Sequence, residues 1–373
     1  MKKNLASKLT SLAALVAVAL GPTAYATQYT VTPLGTLGGT STTVQGINST
    51  GELAGWSLNN AGINTAFLYS NNTMQNLGAL GGAYSEASGI SSTGQVVGWA
   101  DNSAGQQNAF LYSNGAMTSL NMSGYTTDYA NAINDSNQIA GMLVNSAGDL
   151  QAFLYANGST QDLGTLGGAN SNASGISSTG QVVGWADNSA GQQNAFLYSN
   201  GAMTDLGTFG GTTSAANAIN SIGQVVGYAN NSAGTQSAFL YSNGVMTNLG
   251  TFGGTTSAAN AINSIGQVVG YANNSAGTQS AFLYSNGAMQ NLNSLIGSAS
   301  SEYTLTNAVD INKSGQIAVN GTITATGQSM GFLLTPVTST SSAGVPAPET
   351  LGLLAAAMAG LLLMKRKQTR SLS

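Results

Sequence analysis

The sequence predicts an all-β fold, a seven-bladed β-propeller, on three observations. The tetrapeptide Ala-Phe-Leu-Tyr begins at Ala66, Ala109, Ala152, Ala195, Ala238 and Ala281, a constant step of 43 residues, and a degenerate copy, Gly331-Phe332-Leu333-Leu334, follows after a gap of 50. A fixed period of this size marks a propeller, a solenoid or an array. Each unit contains four short β-type runs, the content of one propeller blade, whereas a β-helix rung is shorter and normally lacks a two-residue Asn-Gly hairpin. Finally, the second run of the unit occurs seven times, at Glu52-Leu53-Ala54-Gly55, Gln95, Gln138, Gln181, Gln224, Gln267 and Gln316.

The elements follow in chain order. Met1 to Ala26 reads as a secretory signal peptide, with Lys2, Lys3 and Lys8 before the apolar stretch Leu12–Leu20. Ala24-Tyr25-Ala26 is an A-x-A cleavage site that leaves Thr27 as the first mature residue. The apolar stretch is short for a span. Export implies the Sec machinery and signal peptidase as partners. Tyr29-Thr30-Val31-Thr32-Pro33-Leu34 looks like the last strand of a repeat, placed before the first one. The repeats end on a third strand without its fourth, so the N-terminal strand is expected to complete the last blade. Such closure removes open edges.

Within one repeat, Ser214–Asn220 is a short run of small residues, Ser221-Ile222-Gly223 a turn, and Gln224–Ala229 a β run. Asn230–Thr235 has loop chemistry. Ser237–Ser242 is a strong β run, with Phe239 and Tyr241 on one face and Leu240 on the other. Asn243-Gly244 is a hairpin signal, and Val245–Leu249 is the fourth strand. Gly250-Thr251-Phe252-Gly253-Gly254 leads to the next copy. Residues 87–118 and 173–204 are identical, as are 206–244 and 249–287. A duplicated blade suits a scaffold or a multivalent binder better than a unique active site. Ser119 to Tyr129, in blade 3, departs from the repeat.

Composition excludes several functions. The chain has no Cys and no His. Disulfides, imidazole bases and the usual zinc sites are therefore ruled out. Between Thr27 and Ala343 there are eleven acidic residues and one basic residue, Lys313, a balance of −10. A nucleic-acid partner needs Lys and Arg to neutralise phosphates, so none is expected. The surface must be built from Asn, Gln, Ser, Thr and Gly. No cofactor is implied.

The pattern A-x-x-I-N-x-x-G-Q-V-V-G-Y, then A-F-L-Y-S-N-G-x-M-T-x-L-G-T-x-G-G, resembles the HAF family of extracellular bacterial repeats over residues 29–334. The family's His before Ala-Phe is replaced here by Asn108, Gln151, Asn194, Ser237 and Ser280. The resemblance implies export and a repeat fold, and little about activity.

The domain plan is a signal peptide (1–26), the propeller (27–335), a Ser/Thr linker (336–344) and a tail (345–373). The tail carries Val345-Pro346-Ala347-Pro348, an apolar run from Leu351 to Met364, and Lys365-Arg366-Lys367. The run is short for a transmembrane helix, and the basic cluster would stay cytoplasmic. This layout is similar to a PEP-CTERM sorting signal, with Pro346-Ala347-Pro348 where Pro-Glu-Pro is usual. The similarity implies a Gram-negative host, an exosortase as partner, transient anchoring in the inner membrane, and delivery to the surface or to exopolysaccharide. A plain tail anchor is the other reading.

Candidate chemistry is sparse. Trp56, Trp99, Met142, Trp185, Tyr228 and Tyr271 share one column, with Asn320 in the seventh copy. The column reads as packing between blades, with a sugar-stacking ring as the alternative. The recurrent Phe67, Phe110, Phe153, Phe196, Phe239, Phe282 and Phe332 read as core. Asn48, Ser91, Asn134, Ser177, Asn220, Asn263 and Asn312 read as turn closers, or else as a polar ring at one mouth of the axial channel. The carboxylates Glu52, Glu86, Asp101, Asp128, Asp135, Asp149, Asp162, Asp187 and Asp205 show no glycosidase pair. Asp187–Gly191 has one carboxylate, too few for a calcium loop.

No catalytic, cofactor or metal residue is therefore expected. The leading expectation is a non-enzymatic matrix or adhesion protein associated with exopolysaccharide in a biofilm. A polysaccharide lyase or glycosidase, and an ice-binding protein, are the alternatives.

Overall fold

A computed structural model describes residues 28–120, 122 and 124–337. The chain divides into two compact units, Met1–Pro336 and Val337–Ser373, and of the second only Val337 is described. The signal peptide with Ala24, Ala26 and Thr27, and the tail with Val345, Pro346, Pro348, Lys365, Arg366 and Lys367, lie outside the described residues. Among the described residues no helix is long and apolar enough to cross a membrane.

The first unit is a β-propeller of seven four-stranded antiparallel blades. Blade 5 shows the plan, with strands Gly210–Ile219, Val225–Asn231, Gln236–Ser242 and Val245–Gly250, innermost first. Blades 5 and 6 also meet in one parallel bridge, Gln236 to Thr256. The inner strand is longer than the run 214–220 read from sequence. It begins at the Gly-Gly pair of the linker, where Gly210 and Gly253 take φ of 93° and 94°. The second glycine, Gly211, is required for a different reason: a Cβ there would stand 2.5 Å from the Asn231 carbonyl oxygen.

Blade 7 comprises Tyr303–Ile311, Ile317–Ile323, Gln328–Pro336 and, from the other end of the chain, Tyr29–Pro33. Tyr29 pairs with Pro336 and Pro33 with Phe332, so the expected closure is present. The third strand runs one residue past the expected linker boundary because Pro336 has this partner. Two short 3-10 turns, Leu292–Ser294 and Gly297–Ser301, are inserted ahead of blade 7. Leu292, Leu295 and Ile296 are buried beside Tyr29, whose N–H donates to the Leu295 carbonyl at 2.9 Å. Burial pushes the Tyr29 hydroxyl up to about 12.

Each blade rests on its Phe. All seven, from Phe67 to Phe332, have no exposed surface. The hydrophobic clusters straddle neighbours, as where Val226 and Ala238 of blade 5 pack with Ile262 and Phe282 of blade 6. The Asn-Gly pairs are hairpin turns with both residues at positive φ, 52° and 81° at Asn243-Gly244. In blade 3 the inner strand is short, Thr127–Ile133, where the sequence leaves the repeat.

Candidate functional site: the axial channel and the blade junctions

The seven inner strands surround a cavity of about 210 Å3. Its wall repeats the same three positions, giving Gln45, Ser88, Asn131, Ser174, Asn217, Asn260 and Val309 in the first column. A β-bulge in every inner strand carries this column, as between Val44 and Gly46 in blade 1. A bulge re-aims a side chain. Asn131, Asn217 and Asn260 use this to reach the next blade, where each Nδ2 donates at 2.8 Å to a backbone carbonyl, of Ala173, Ala259 and Ala308 respectively.

The second column is Gly46, Gly89, Ala132, Gly175, Ala218 and Ala261, and then Asp310. Asp310 accepts from the Ile47 N–H at 2.9 Å and the Ile311 N–H at 2.8 Å. Asp310 lines the channel, and burial pushes its pKa up to about 6. Residue-type reasoning passed over Asp310. Aligning the repeats shows six small residues against one carboxylate, and that was the available signal.

At the end of each inner strand the Asn-or-Ser column closes its own turn. Asn48 Oδ1 accepts from the N–H groups of Thr50 and Glu52. The same asparagines also bond across blades. Asn48, Asn134, Asn220, Asn263 and Asn312 each donate Nδ2 to the equivalent residue's carbonyl in the next blade, at 3.0 to 3.2 Å. Asn312 to Asn48 carries the same link from blade 7 back to blade 1. Ser91 and Ser177 lack the amide. At the first of these junctions Asp135 of blade 3 accepts from the Ser92 N–H instead, at 2.9 Å.

The aromatic column is half-buried throughout, at Trp56, Trp99, Trp185, Tyr228 and Tyr271. Several of its positions make contacts between blades. Trp99 meets Tyr129 of blade 3 edge to face, centroids 6.2 Å apart. Tyr271 accepts from Gln236 of blade 5 at 3.4 Å. Met142 sulfur accepts from Asn172 of blade 4, and Asn320 accepts from the Val44 N–H and donates to the Val44 carbonyl in blade 1, both at 2.9 Å.

Most carboxylates are engaged in structure. Glu52 binds Asn48, Thr50 and Ser70. Asp162 and Asp205 cap turns, at the N–H of Gly164 and of Gly207. Asp187 accepts from Asn170. Its loop is a tight turn in which Asn188 Oδ1 holds the N–H groups of Ala190 and Gln192. Asp128 accepts from the Ala109 N–H, and burial raises its pKa. The same role falls to Ser85, Ser171, Ser214 and Ser257 at other junctions.

Unlike groups converge at one junction, between blades 2 and 3. Tyr129 donates to Gln107 Oε1, and burial first, then the charges of Asp101 and Glu86, raises its pKa. Glu86 is raised by burial, opposed by hydrogen bonds from Asn64 and Trp99. Folding thus brings Glu86, Asp101 and Tyr129 together. They come from repeats that look unrelated until the inner strand of one blade is set against its neighbour. Among the described residues no three carboxylates gather to hold a metal ion.

No protein-family model and no curated protein matches the chain. Among solved structures it is similar to YCF48 bound to D1 peptide, at 12% identity over 86% of this chain and 98% of that one, TM-score 0.50. It is also similar to TolB from Acinetobacter baumannii, at 11% identity over 77% of this chain, TM-score 0.46; it spans 64% of the TolB chain. Trypanosoma rangeli sialidase in complex with sialic acid is a further neighbour, at 8% identity over 86% of this chain and 60% of that one, TM-score 0.42. The likeness to YCF48, at this identity, shows the fold alone, a β-propeller.

Proposed function

We propose that the protein is an exported, non-enzymatic component of the cell surface or extracellular matrix that associates with exopolysaccharide through its repeated polar turns. One observation carries this reading: the same neutral turns recur blade after blade, while the carboxylates are mostly spent on closing turns and joining blades. Uncharged amides and hydroxyls suit sugar hydroxyls, and weak contacts repeated around a ring add up to avidity. Export rests on the A-x-A site before Thr27, and delivery by an exosortase on the tail at Val345–Lys367.

A second reading, a polysaccharide lyase, draws on the junction of Glu86, Asp101 and Tyr129 beside Trp99. Against it, a raised tyrosine pKa disfavours the phenolate such chemistry would use as a base. One experiment separates the two. The purified chain is co-sedimented with the producing organism's own exopolysaccharide, and the polymer is sized afterwards. Saturable binding with intact polymer supports the matrix protein. Shortened polymer, restored to full length by Tyr129→Phe, establishes the lyase. Neither binding nor cleavage sinks both.

A further inference from the structure

The wall of the axial cavity offers acceptors, and three of its asparagines have committed their amide donors to the neighbouring blade, while Gln45, Ser88 and Ser174 keep rotatable donors that can turn aside. The Nδ2 groups of Asn131, Asn217 and Asn260 face backbone carbonyls of the next blade. This settles their orientation, because the flipped amide would set oxygen against oxygen. Each Oδ1 is left without a donor among the described residues. Asp310 adds a carboxylate whose two oxygens each accept one N–H and keep lone pairs. No basic side chain lines the cavity. Lys313 is the one basic residue among those described, so no side-chain cation answers the charge.

The cavity, about 210 Å3, has room for an ion with several waters, each of which takes roughly 30 Å3. No sulfur or imidazole faces it. An oxygen-only set of amides with one carboxylate matches a hard cation and disfavours a soft one. From this geometry we propose that the axial channel binds a hard inorganic cation, held by Asp310 and the amide oxygens of Asn131, Asn217 and Asn260. The site goes beyond the polysaccharide reading and does not depend on it. Calcium fits better than magnesium, because it accepts many oxygen ligands in irregular geometry, whereas magnesium demands a tight octahedron.

The test uses the full-length purified chain, stripped with chelator and kept in a choline buffer. Calcium, magnesium, sodium and potassium are each titrated while melting temperature is followed, and calcium binding is measured by equilibrium dialysis. The expected result is saturable binding of one calcium per chain with a rise in melting temperature, weakened at least about tenfold by Asp310→Asn, which removes the one full charge. Asn217→Ser is the second variant. It places there the serine that Ser88 and Ser174 supply in other blades, and it is expected to weaken binding less while the fold persists. Sodium or potassium in calcium's place, with the same response to both variants, also supports a hard-cation site. No saturable binding of any of the four ions overturns the proposal. So does calcium binding that both variants leave unchanged.

Discussion

The junction between blades 5 and 6 and the junction between blades 7 and 1 do the same work with different means. Blades 5 and 6 are near-copies and the chain runs continuously from one outer strand into the next inner strand. Their contacts are the repeat's own: Ala238 to Ser257, Asn217 to the Ala259 carbonyl, and Asn220 to the Asn263 carbonyl. In blade 7 the outer strand comes from the N-terminus, so no hairpin turn ties it to the third strand. Extra groups appear there. Asn320 holds both backbone groups of Val44 and Asp310 holds the Ile47 N–H, beside the repeat's usual link from Asn312 to the Asn48 carbonyl. The inserted turns bury Leu292, Leu295 and Ile296 against Tyr29. These departures from the repeat thus mark where the ring is joined.

The largest effect is expected from removing the closing strand. A chain starting at Gly35, compared with one starting at Gln28, loses one strand pairing of five residue pairs and the buried side chains of Tyr29 and Leu34. Each buried side chain is worth about 1.5–3 kcal/mol. It also bares the edge of Gln328–Pro336, which invites strand-to-strand association. Loss of the cooperative melting transition and a shift to large species in size exclusion are expected. A monomer with an unchanged melting temperature would show that the side-chain links alone close the ring.

Next comes Asn320→Tyr, which writes the residue of blades 5 and 6 into blade 7. Two hydrogen bonds to Val44 are lost, at about 1 kcal/mol each, and a ring must fit where an amide stood. Chemical denaturation should show about 2 kcal/mol or more of destabilisation. The reverse change, Tyr271→Asn, removes one long contact to Gln236 and should cost less. Equal costs would mean that the closing junction is no different from the others.

Asp128 tests a third junction. Its carboxylate does what serine does elsewhere, and burial holds its pKa above the usual value of 3.8. The folded state therefore keeps a proton that the unfolded state has released. Stability from this group is full below about pH 4, near the unfolded carboxylate's value, and falls as pH rises through the folded pKa. Asp128→Ser should flatten that part of the melting profile and leave the protein more stable at pH 7 than the parent. A profile unchanged by the substitution would count against a buried charge at this position.

Much of the fold was legible because the repeat writes it down. The Asn-Gly pairs, the invariant Phe and the stray strand before Leu34 each have a local cause, so period and residue type were enough for blade number and closure. The inner strands were read too short because Gly-Gly looks like a linker; only the neighbouring backbone shows that Gly211 stands in a ladder too close for a Cβ. The site was harder to read. Asp310 and the bulged asparagines act across blades, 42 or more residues apart in sequence for the asparagine bonds and 263 for Asp310 to Ile47. No single-repeat reading brings such residues together. The convergence of Glu86 and Tyr129 has the same origin.

The smallest expected effect concerns the circuit of turn asparagines. Blades 2 and 4 carry Ser91 and Ser177, so the amide link is already missing at two junctions, one of them bridged by Asp135 and Ser92. Asn220→Ser would remove the link from blade 5 to the Asn263 carbonyl, a bond of 3.1 Å, while the serine hydroxyl keeps the turn, as Ser91 does toward the Gln95 N–H at 3.2 Å. A cost near 1 kcal/mol is expected, the net worth of one such bond. Ser177→Asn is the complementary change. If it supplies a new link to the Asn220 carbonyl it should stabilise by a similar amount, and the two together should nearly cancel because they touch neighbouring junctions of the same kind. A gain from Ser177→Asn would show that the turn asparagines are true inter-blade fasteners. A neutral result, with Asn220→Ser also neutral, would reduce them to local turn closers.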